Sequence, residues 1–227
     1  MAKQSWISLD KVILIIGLII YGTGFSLLYI IFAPLSRSIG LSTNQFGILI
    51  AISNVSLVFS SYFWGKKSQS MGRKPVFIIG LFSYAIAYAL FAFGIQIGLW
   101  GLLASWQLFS LLFIIRLLYG SLIGGIQPAA TAYISDTTDE TTRIKGMALI
   151  GMASGIGTII GPIVGGGLAF IHPIFPLYFG AGIAVLGGIL SMKFLIEPKQ
   201  QTPVSKTGNL KFYDKRIMPY LVGWALV

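Results

Sequence analysis

The chain has 227 residues, of which 56% are apolar and only 10% are charged, and it carries 28 glycines and a net charge of +10. This composition excludes a water-soluble domain and indicates a protein that crosses the membrane several times. The absence of cysteine excludes disulfides and thiolate metal sites, and the single histidine, His172, excludes a histidine metal cluster, so we expect no cofactor.

The positive charge is distributed in a way that argues against nucleic acid as a partner. Except for Arg37 and Arg116, the 16 lysines and arginines lie before the first apolar span or around the ends of the second, fourth and sixth spans. Basic residues concentrate on the cytoplasmic side of membrane proteins. The sequence therefore predicts six spans in contact with membrane lipid, with the amino terminus in the cytoplasm.

The first two predicted spans contain aromatic and polar residues of interest. Span one runs from about Val12 to Phe32, and Tyr21 and Phe25 share one of its faces. An aromatic stripe is typical of helix packing and also of a ligand wall, so both interpretations stay open. Span two, at about residues 45–64, carries Asn54, whose amide needs a partner away from lipid. A bond to another helix and a water-filled cavity would each provide one.

The connections around span two are predicted as loops. Pro34 and Arg37 mark an outer loop after span one. Residues 65–75 form a second, basic loop, and its four cationic side chains are enough to explain it as a topology signal.

Span four, at about Trp106 to Ala130, follows an uncharged third span at about Val76 to Ile97. Arg116 lies near the middle of span four, where a buried arginine costs about 2.5 to 3.5 kcal/mol, so it is a functional hypothesis by default. Gly120 and Gly124 share its face, which places the guanidinium beside a groove against another helix. A purely structural arginine is the alternative.

Span five lies within an uncharged run from Gly146 to Ile171. Gly157, Gly161 and Gly165 recur every four residues, a spacing that lets a neighbouring helix approach closely. Pro162 removes one backbone donor and should bend the helix. The pattern predicts a bent helix with a packing groove, and a generic close-packed span is the alternative.

Several segments resemble motifs of the major facilitator superfamily, in particular of its tetracycline-class drug:proton antiporters. The fifth-span antiporter motif is resembled by Gly157-x-x-x-Gly161-Pro162-x-x-Gly165-Gly166, and the fourth-span motif associated with proton coupling by Arg116-x-x-x-Gly120. The cytoplasmic motif Gly-x-x-x-Asp-Arg-x-Gly-Arg-Lys is matched at Gly65, Gly72, Arg73 and Lys74, whereas Gln69 and Ser70 replace its aspartate and first arginine.

The polar segment at residues 132–145, predicted as a cytoplasmic loop, extends this resemblance. Asp136 and Arg143 stand at the matching places of tetracycline-class exporters. In these relatives the acid at the end of the fourth helix pairs with the loop arginine, here Arg73. The resemblance therefore implies a cytoplasmic gating loop, although a solvated loop of mixed charge is the simpler alternative.

The resemblance implies an all-α polytopic membrane protein: the amino-terminal six-helix half of a major facilitator exporter, built from 3+3 inverted repeats, in a bacterial inner membrane. It also implies a substrate cavity that includes Tyr21, Phe25, Asn54 and Arg116, with Arg116 coupled to protons. The expected substrates are drugs or amphiphilic small molecules, and the expected partner is a second half or a second copy. All six acidic residues lie at span ends or in loops, so a proton-binding carboxylate would come from that partner or from the substrate.

Two other functions stay open: a non-transporting remnant or assembly subunit that binds another membrane protein, and an exporter of a sugar or other metabolite. An enzyme is disfavoured, because the sequence has no clustered histidine or cysteine and no carboxylate within a span.

The predicted organisation is a six-span bundle over residues 1–197, with span six from Phe175 to Ile196, followed by a cytoplasmic loop over 198–216. Apolar sequence resumes over 217–227, and a helix of that length reaches about 16 Å, about half the bilayer core. The sequence therefore predicts that this stretch starts a seventh span and that the chain is the first part of a longer transporter. The alternative is a tail that lies at the membrane interface, where Pro219 and Trp224 are well placed.

Overall fold

The computed structural model describes residues 8–198, and this part of the chain is helical, with short connections. The helices are α1 (Leu9–Ser38), α2 (Thr43–Met71), α3 (Arg73–Leu99), α4 (Ser105–Ile123), α5 (Ile126–Asp136), α6 (Glu140–Ala169) and α7 (Phe175–Phe194). With α4 and α5 taken together as one span, the described residues contain six helices long and apolar enough to cross a membrane. The predicted six-span all-α fold is confirmed. Apart from Pro198, the predicted central loop and seventh span lie outside the described residues.

The first helix is longer than predicted. α1 continues through Pro34 and Arg37, so these residues belong to the helix and not to an outer loop. A proline close to a helix end removes only one backbone bond. The hydroxyls of Ser36 and Ser38 donate to carbonyls three residues earlier at 2.8 and 2.9 Å, which occupies acceptors of the last turns.

The fourth span consists of two helices and not of the single helix that the sequence predicted. α4 ends at Ile123 and α5 begins at Ile126, with Gly124 and Gly125 between them. A side chain at Gly124 would collide with Ser60 of α2. Close packing against α2 therefore requires glycine here, and glycine is the weakest helix former after proline, so the helix breaks at this point.

The order of packing follows the two predicted inverted repeats. α1 packs most extensively against α6, and α2 packs against α4. Span one therefore meets span five in the same way that span four meets span two. α3 and α7, the third and sixth spans, pack against each other. This is the pairing expected when spans one to three and four to six are inverted copies.

Two of the six spans are much less buried than the rest. Only 22% of the most apolar stretch of α2 and of α6 is buried, compared with 44% to 56% in the other spans. On α2 the uncovered surface includes Phe59 and Tyr62, which are 72% and 69% exposed, and on α6 it includes Ile163. The second and fifth spans therefore have broad apolar faces that nothing in the described part of the chain covers.

Candidate functional site

Arg116 lies inside the bundle and is only 2% exposed. Its Nε donates a hydrogen bond of 3.2 Å to the carbonyl of Leu49 on α2. Its guanidinium carbon lies 5.2, 5.4 and 6.0 Å from the ring centres of Tyr119, Phe91 and Phe32. These distances are within the range of cation–π attraction. Among residues 8–198 no carboxylate forms an ion pair with Arg116, so a carbonyl and three ring faces stabilise its charge.

The predicted groove beside Arg116 is the contact between α4 and α2. A Cβ added at Gly120 would lie 2.8 Å from the Cβ of Ser56, so the two helices approach at the distance that glycine allows. The Ser56 hydroxyl donates to the carbonyl of Leu117 at 3.0 Å and lies 2.7 Å from the Ser121 hydroxyl. Hydroxyl bonds between helices thus reinforce the glycine contact next to the buried arginine.

The aromatic stripe of α1 connects the interior of the bundle to its surface. The ring of Phe25 lies 6.2 Å from that of Tyr21 and 5.0 Å from that of Tyr29. The Tyr29 hydroxyl lies 3.2 Å from Oδ1 of Asn54, which gives this amide an interhelical partner, one of the two outcomes predicted. Tyr21, like Arg116, is buried, whereas Phe25 is half-buried and Asn54 is exposed. The four predicted cavity residues therefore do not line one surface.

Two tyrosines of α3 join this cluster, although the sequence analysis does not single them out. Tyr84 and Tyr88 are fully buried, with ring centres 4.7 Å apart, and the Tyr84 ring lies 5.7 Å from that of Tyr21. The Tyr88 hydroxyl donates to the carbonyl of Gly24 on α1. The sequence feature that could have identified them is the spacing of two tyrosines about one helical turn apart in an apolar span.

The fifth-span glycines form the predicted packing groove, and it holds α1. A Cβ added at Gly157 would lie 2.7 Å from the backbone nitrogen of Thr23. A Cβ added at Gly161 would lie 2.5 Å from the carbonyl oxygen of Thr23. Gly165 packs against Leu27, at 3.2 Å from the added Cβ to Cγ. Because these neighbours include backbone atoms, α1 and α6 approach each other so closely that no side chain fits at Gly157 or Gly161.

The two other residues of the antiporter motif are Pro162 and Gly166. α6 is continuous through Pro162, and the predicted bend stays a prediction. Apart from the neighbouring residues of α6 itself, no atom lies within 4 Å of a Cβ added at Gly166. This glycine therefore does not form part of the contact with α1.

The segment predicted as a cytoplasmic loop is almost entirely helical. α2 continues through Gly65 to Met71, and α3 begins at Arg73, so Gly72 is the one residue between them. Gly72 has a φ of 99°, a conformation that L side chains rarely adopt. The loop prediction is therefore wrong, because one glycine reverses the chain where a longer connection was expected. The polar segment after span four is likewise short, covering residues 137–139.

The ion pair implied by the resemblance is present. Nε of Arg73 lies 2.9 Å from Oδ2 of Asp136, at the end of α5, with the two side chains 13% and 17% exposed. Nη1 of Arg73 also donates to the Ser68 hydroxyl at 2.7 Å. Lys74 follows in the first turn of α3, and Arg143 lies in the first turn of α6, where its Nε has no partner among residues 8–198. The predicted residues thus cluster at one end of the bundle.

The sequence profile of the Major Facilitator Superfamily matches residues 14–226 of the chain. The chain belongs to the major facilitator superfamily. With six helices long and apolar enough to cross a membrane among residues 8–198, this superfamily member is an integral multi-pass membrane protein. Members of the superfamily are transporters of small molecules and not enzymes.

Among its relatives, the chain is similar to three bacterial resistance proteins. It is 30% identical to multidrug resistance protein 1 of Bacillus subtilis over 217 residues, which covers 95% of this chain and 53% of the relative. It is 28% identical to multidrug resistance protein 2 of the same organism, covering 82% of this chain and 44% of the relative. It is 26% identical to the quinolone resistance protein NorA of Staphylococcus aureus, covering 73% and 40%. The chain spans about half the length of the curated relatives it matches.

A solved structure shows the same fold. The human organic anion transporter MFSD10 (TETRAN) superposes with a TM-score of 0.62 at 23% identity, covering 83% of this chain and 47% of that one. At this identity the likeness supports the major facilitator fold and carries no information on substrate.

Proposed function

We propose that this superfamily member forms one half of a proton-coupled exporter of drugs or other amphiphilic small molecules. The observation that carries the proposal is Arg116, a charged side chain held at 2% exposure inside a membrane-spanning bundle. Such a residue is expensive to bury and is retained chiefly for function. The names of the relatives, multidrug and quinolone resistance proteins, support the substrate class.

In this proposal Arg116 serves as the counter-charge in proton coupling. Proton-coupled carriers need a group whose proton affinity changes between states, usually a buried carboxylate. The five acidic residues of the described chain lie at helix ends or in connections: Asp10, Asp136, Asp139, Glu140 and Glu197. The titrating carboxylate would therefore belong to a second six-span unit or to the substrate, and Arg116 would favour its charged form because the membrane interior screens weakly.

The uncovered faces of α2 and α6 suggest where the second unit docks and where the substrate passes. We propose that Phe25 and Asn54 line the path directly, whereas Tyr21 and Arg116 act from behind it. The α1–α6 glycine contact would keep the path walls together. The cytoplasmic cluster that contains Gly65, Gly72, Arg73, Lys74, Asp136 and Arg143 would act as the gate.

The first test is whether export depends on a second unit. Purified monomers of the chain are reconstituted in liposomes, and an inward-directed proton gradient is imposed. They are expected not to move fluorescent amphiphiles, because one half presents an open groove. Dimers of the chain, or the chain combined with a second six-span unit, are expected to move them. Transport by dispersed monomers would contradict the need for a second unit, and transport of radiolabelled sugars but not amphiphiles would favour a metabolite exporter.

Exposed apolar faces also favour a second candidate, an assembly subunit that binds another membrane protein without transporting anything. α2 and α6 together present such faces, since only 22% of the apolar stretch of each is buried. Absence of transport in every assembly, with a stable complex formed through these faces, would support this alternative.

The topology is tested separately. The chain contains no cysteine, so single cysteines report without background. Ser38 and Ser70 are exposed and lie at opposite ends of the bundle, at the ends of α1 and α2. With the amino terminus in the cytoplasm, an impermeant maleimide added to intact cells is expected to label S38C and not S70C. The reverse pattern would show that the bundle has the opposite orientation.

A further inference from the structure

Glu197 makes two hydrogen bonds to the cytoplasmic turn, although it comes from the other end of the described chain. Its Oε1 accepts from the backbone nitrogen of Arg73 at 2.6 Å, and its Oε2 accepts from that of Lys74 at 2.9 Å. These nitrogens are the first of α3 and have no acceptor within their own helix. A carboxylate at this end of a helix also interacts favourably with the helix dipole.

The turn is shaped to receive this carboxylate. A Cβ added at Gly72 would lie 2.7 Å from Oε1 of Glu197, so any larger residue would displace the carboxylate. The absence of a side chain at this position therefore meets two requirements, the positive φ of the turn and the space for Glu197.

The residues beside Glu197 are held as well. Leu195 is 1% exposed, and Pro198 is buried. The hydroxyl of Tyr133 on α5 lies 2.8 Å from the carbonyl oxygen of Ile196 and 2.9 Å from Oδ2 of Asp10 on α1, and it donates to one of them at a time. The end of the sixth span is thus held to the start of α3 through Glu197 and, when Tyr133 donates to Ile196, to α5.

We propose that Glu197 is a positioning residue of the cytoplasmic turn. It holds the backbone of Arg73 and Lys74 in place, which aims the Arg73 side chain at Asp136, and it joins the end of the sixth span to this ion pair. A movement of the end of α7 would then reach the pair directly through the Glu197 carboxylate. The use of this link in gating rests on the proposed transport function, whereas the link itself does not.

The test uses the whole chain in inside-out vesicles and needs no transport. Ser191 is fully buried near the end of α7, and its hydroxyl has no partner among the described residues, so S191C is a nearly isosteric reporter. Because Ser191 is fully buried, a maleimide reaches this cysteine only when the end of α7 separates from the helices it packs against, which include α3 and α1. In the S191C background, E197Q is expected to raise the labelling rate about threefold to tenfold, the factor that corresponds to losing one hydrogen bond of ordinary strength.

The matched control is E140Q, the same change at an exposed acid in the first turn of α6. It is expected to leave the rate unchanged, and E197D, which keeps the carboxylate, is expected to label more slowly than E197Q. Equal rates for E197Q and E140Q, or for E197Q and E197D, would overturn the proposal.

A second comparison tests whether Glu197 acts through the ion pair. D136N removes the partner of Arg73, so the increase caused by E197Q should be smaller in the D136N background than in the parent. Independent, multiplicative increases would show that Glu197 does not position Arg73. Because labelling is independent of substrate, either result leaves the proposed export to be decided by the liposome assay.

Discussion

Replacing Arg116 with methionine is expected to abolish coupled export while leaving the bundle at least as stable as before. The guanidinium is buried without a carboxylate in the described structure and is stabilised by the Leu49 carbonyl and three rings. Burying an arginine at mid-membrane costs about 2.5 to 3.5 kcal/mol, and an unbranched apolar side chain that fills most of the same space removes that cost. The measurements are the unfolding midpoint in detergent and drug-induced proton release by the transporting assembly.

The control for this substitution is R37M, which removes the exposed arginine in the last turn of α1, at the end of the bundle opposite the turn at Gly72. It is expected to change neither export nor stability by much. Proton release from R116M with an unchanged pH midpoint would refute the counter-charge role. A midpoint of thermal unfolding that falls by many degrees in R116M would show that Arg116 instead holds the bundle together through its ring contacts.

Replacing Gly161 with alanine is expected to be strongly destabilising, although the change adds only one methyl group. The added Cβ would lie 2.5 Å from the carbonyl oxygen of Thr23 and 2.9 Å from the backbone nitrogen of Leu27, and backbone atoms cannot rotate away. α1 and α6 would have to separate along their whole contact. Overpacking of this kind typically costs about 1 to 3 kcal/mol, measured here as a lower midpoint of unfolding by sodium dodecyl sulphate.

The same helix provides a matched control in Gly155, six residues earlier. A Cβ there meets nothing within 4 Å, and the position is exposed. G155A should therefore be neutral or should stabilise the helix by up to about 1 kcal/mol, because alanine is the better helix former. Equal midpoints for G161A and G155A would mean that the α1–α6 contact does not depend on backbone proximity.

Much of the site was predictable because the membrane restricts what a residue can do. A mid-span arginine has to be stabilised inside the protein, and glycines four residues apart have to meet another helix. Arg116 and Gly161 could therefore be selected from the sequence. The partners of these residues could not, because nothing in the spacing indicates that Phe91 of α3 lies over the guanidinium or that Thr23 faces Gly161.

The local errors have a common cause. The sequence predicted loops at Pro34, at residues 65–75 and at residues 132–145, because proline, glycine and charged residues usually end helices in water. At a membrane surface a polar helix can continue beyond the bilayer core, and a single glycine with positive φ is enough to reverse the chain, as at Gly72. The break at Gly124 was missed because glycines are frequent inside membrane-spanning helices, and the nearness of α2, which makes glycine necessary here, is not visible in the local sequence.

The sequence by itself determined the class, the six spans of the described residues and the family, because apolar runs about the length of a bilayer and short motifs with fixed spacing are local properties of the chain. Tertiary structure alone decided which faces meet: that Arg116 is enclosed by rings and does not line an open surface, that Arg73 reaches Asp136, and that Glu197 holds the turn at Gly72. Glu197 lies 124 residues after Arg73 in the chain. Such contacts depend on how the helix ends converge, which no local pattern records.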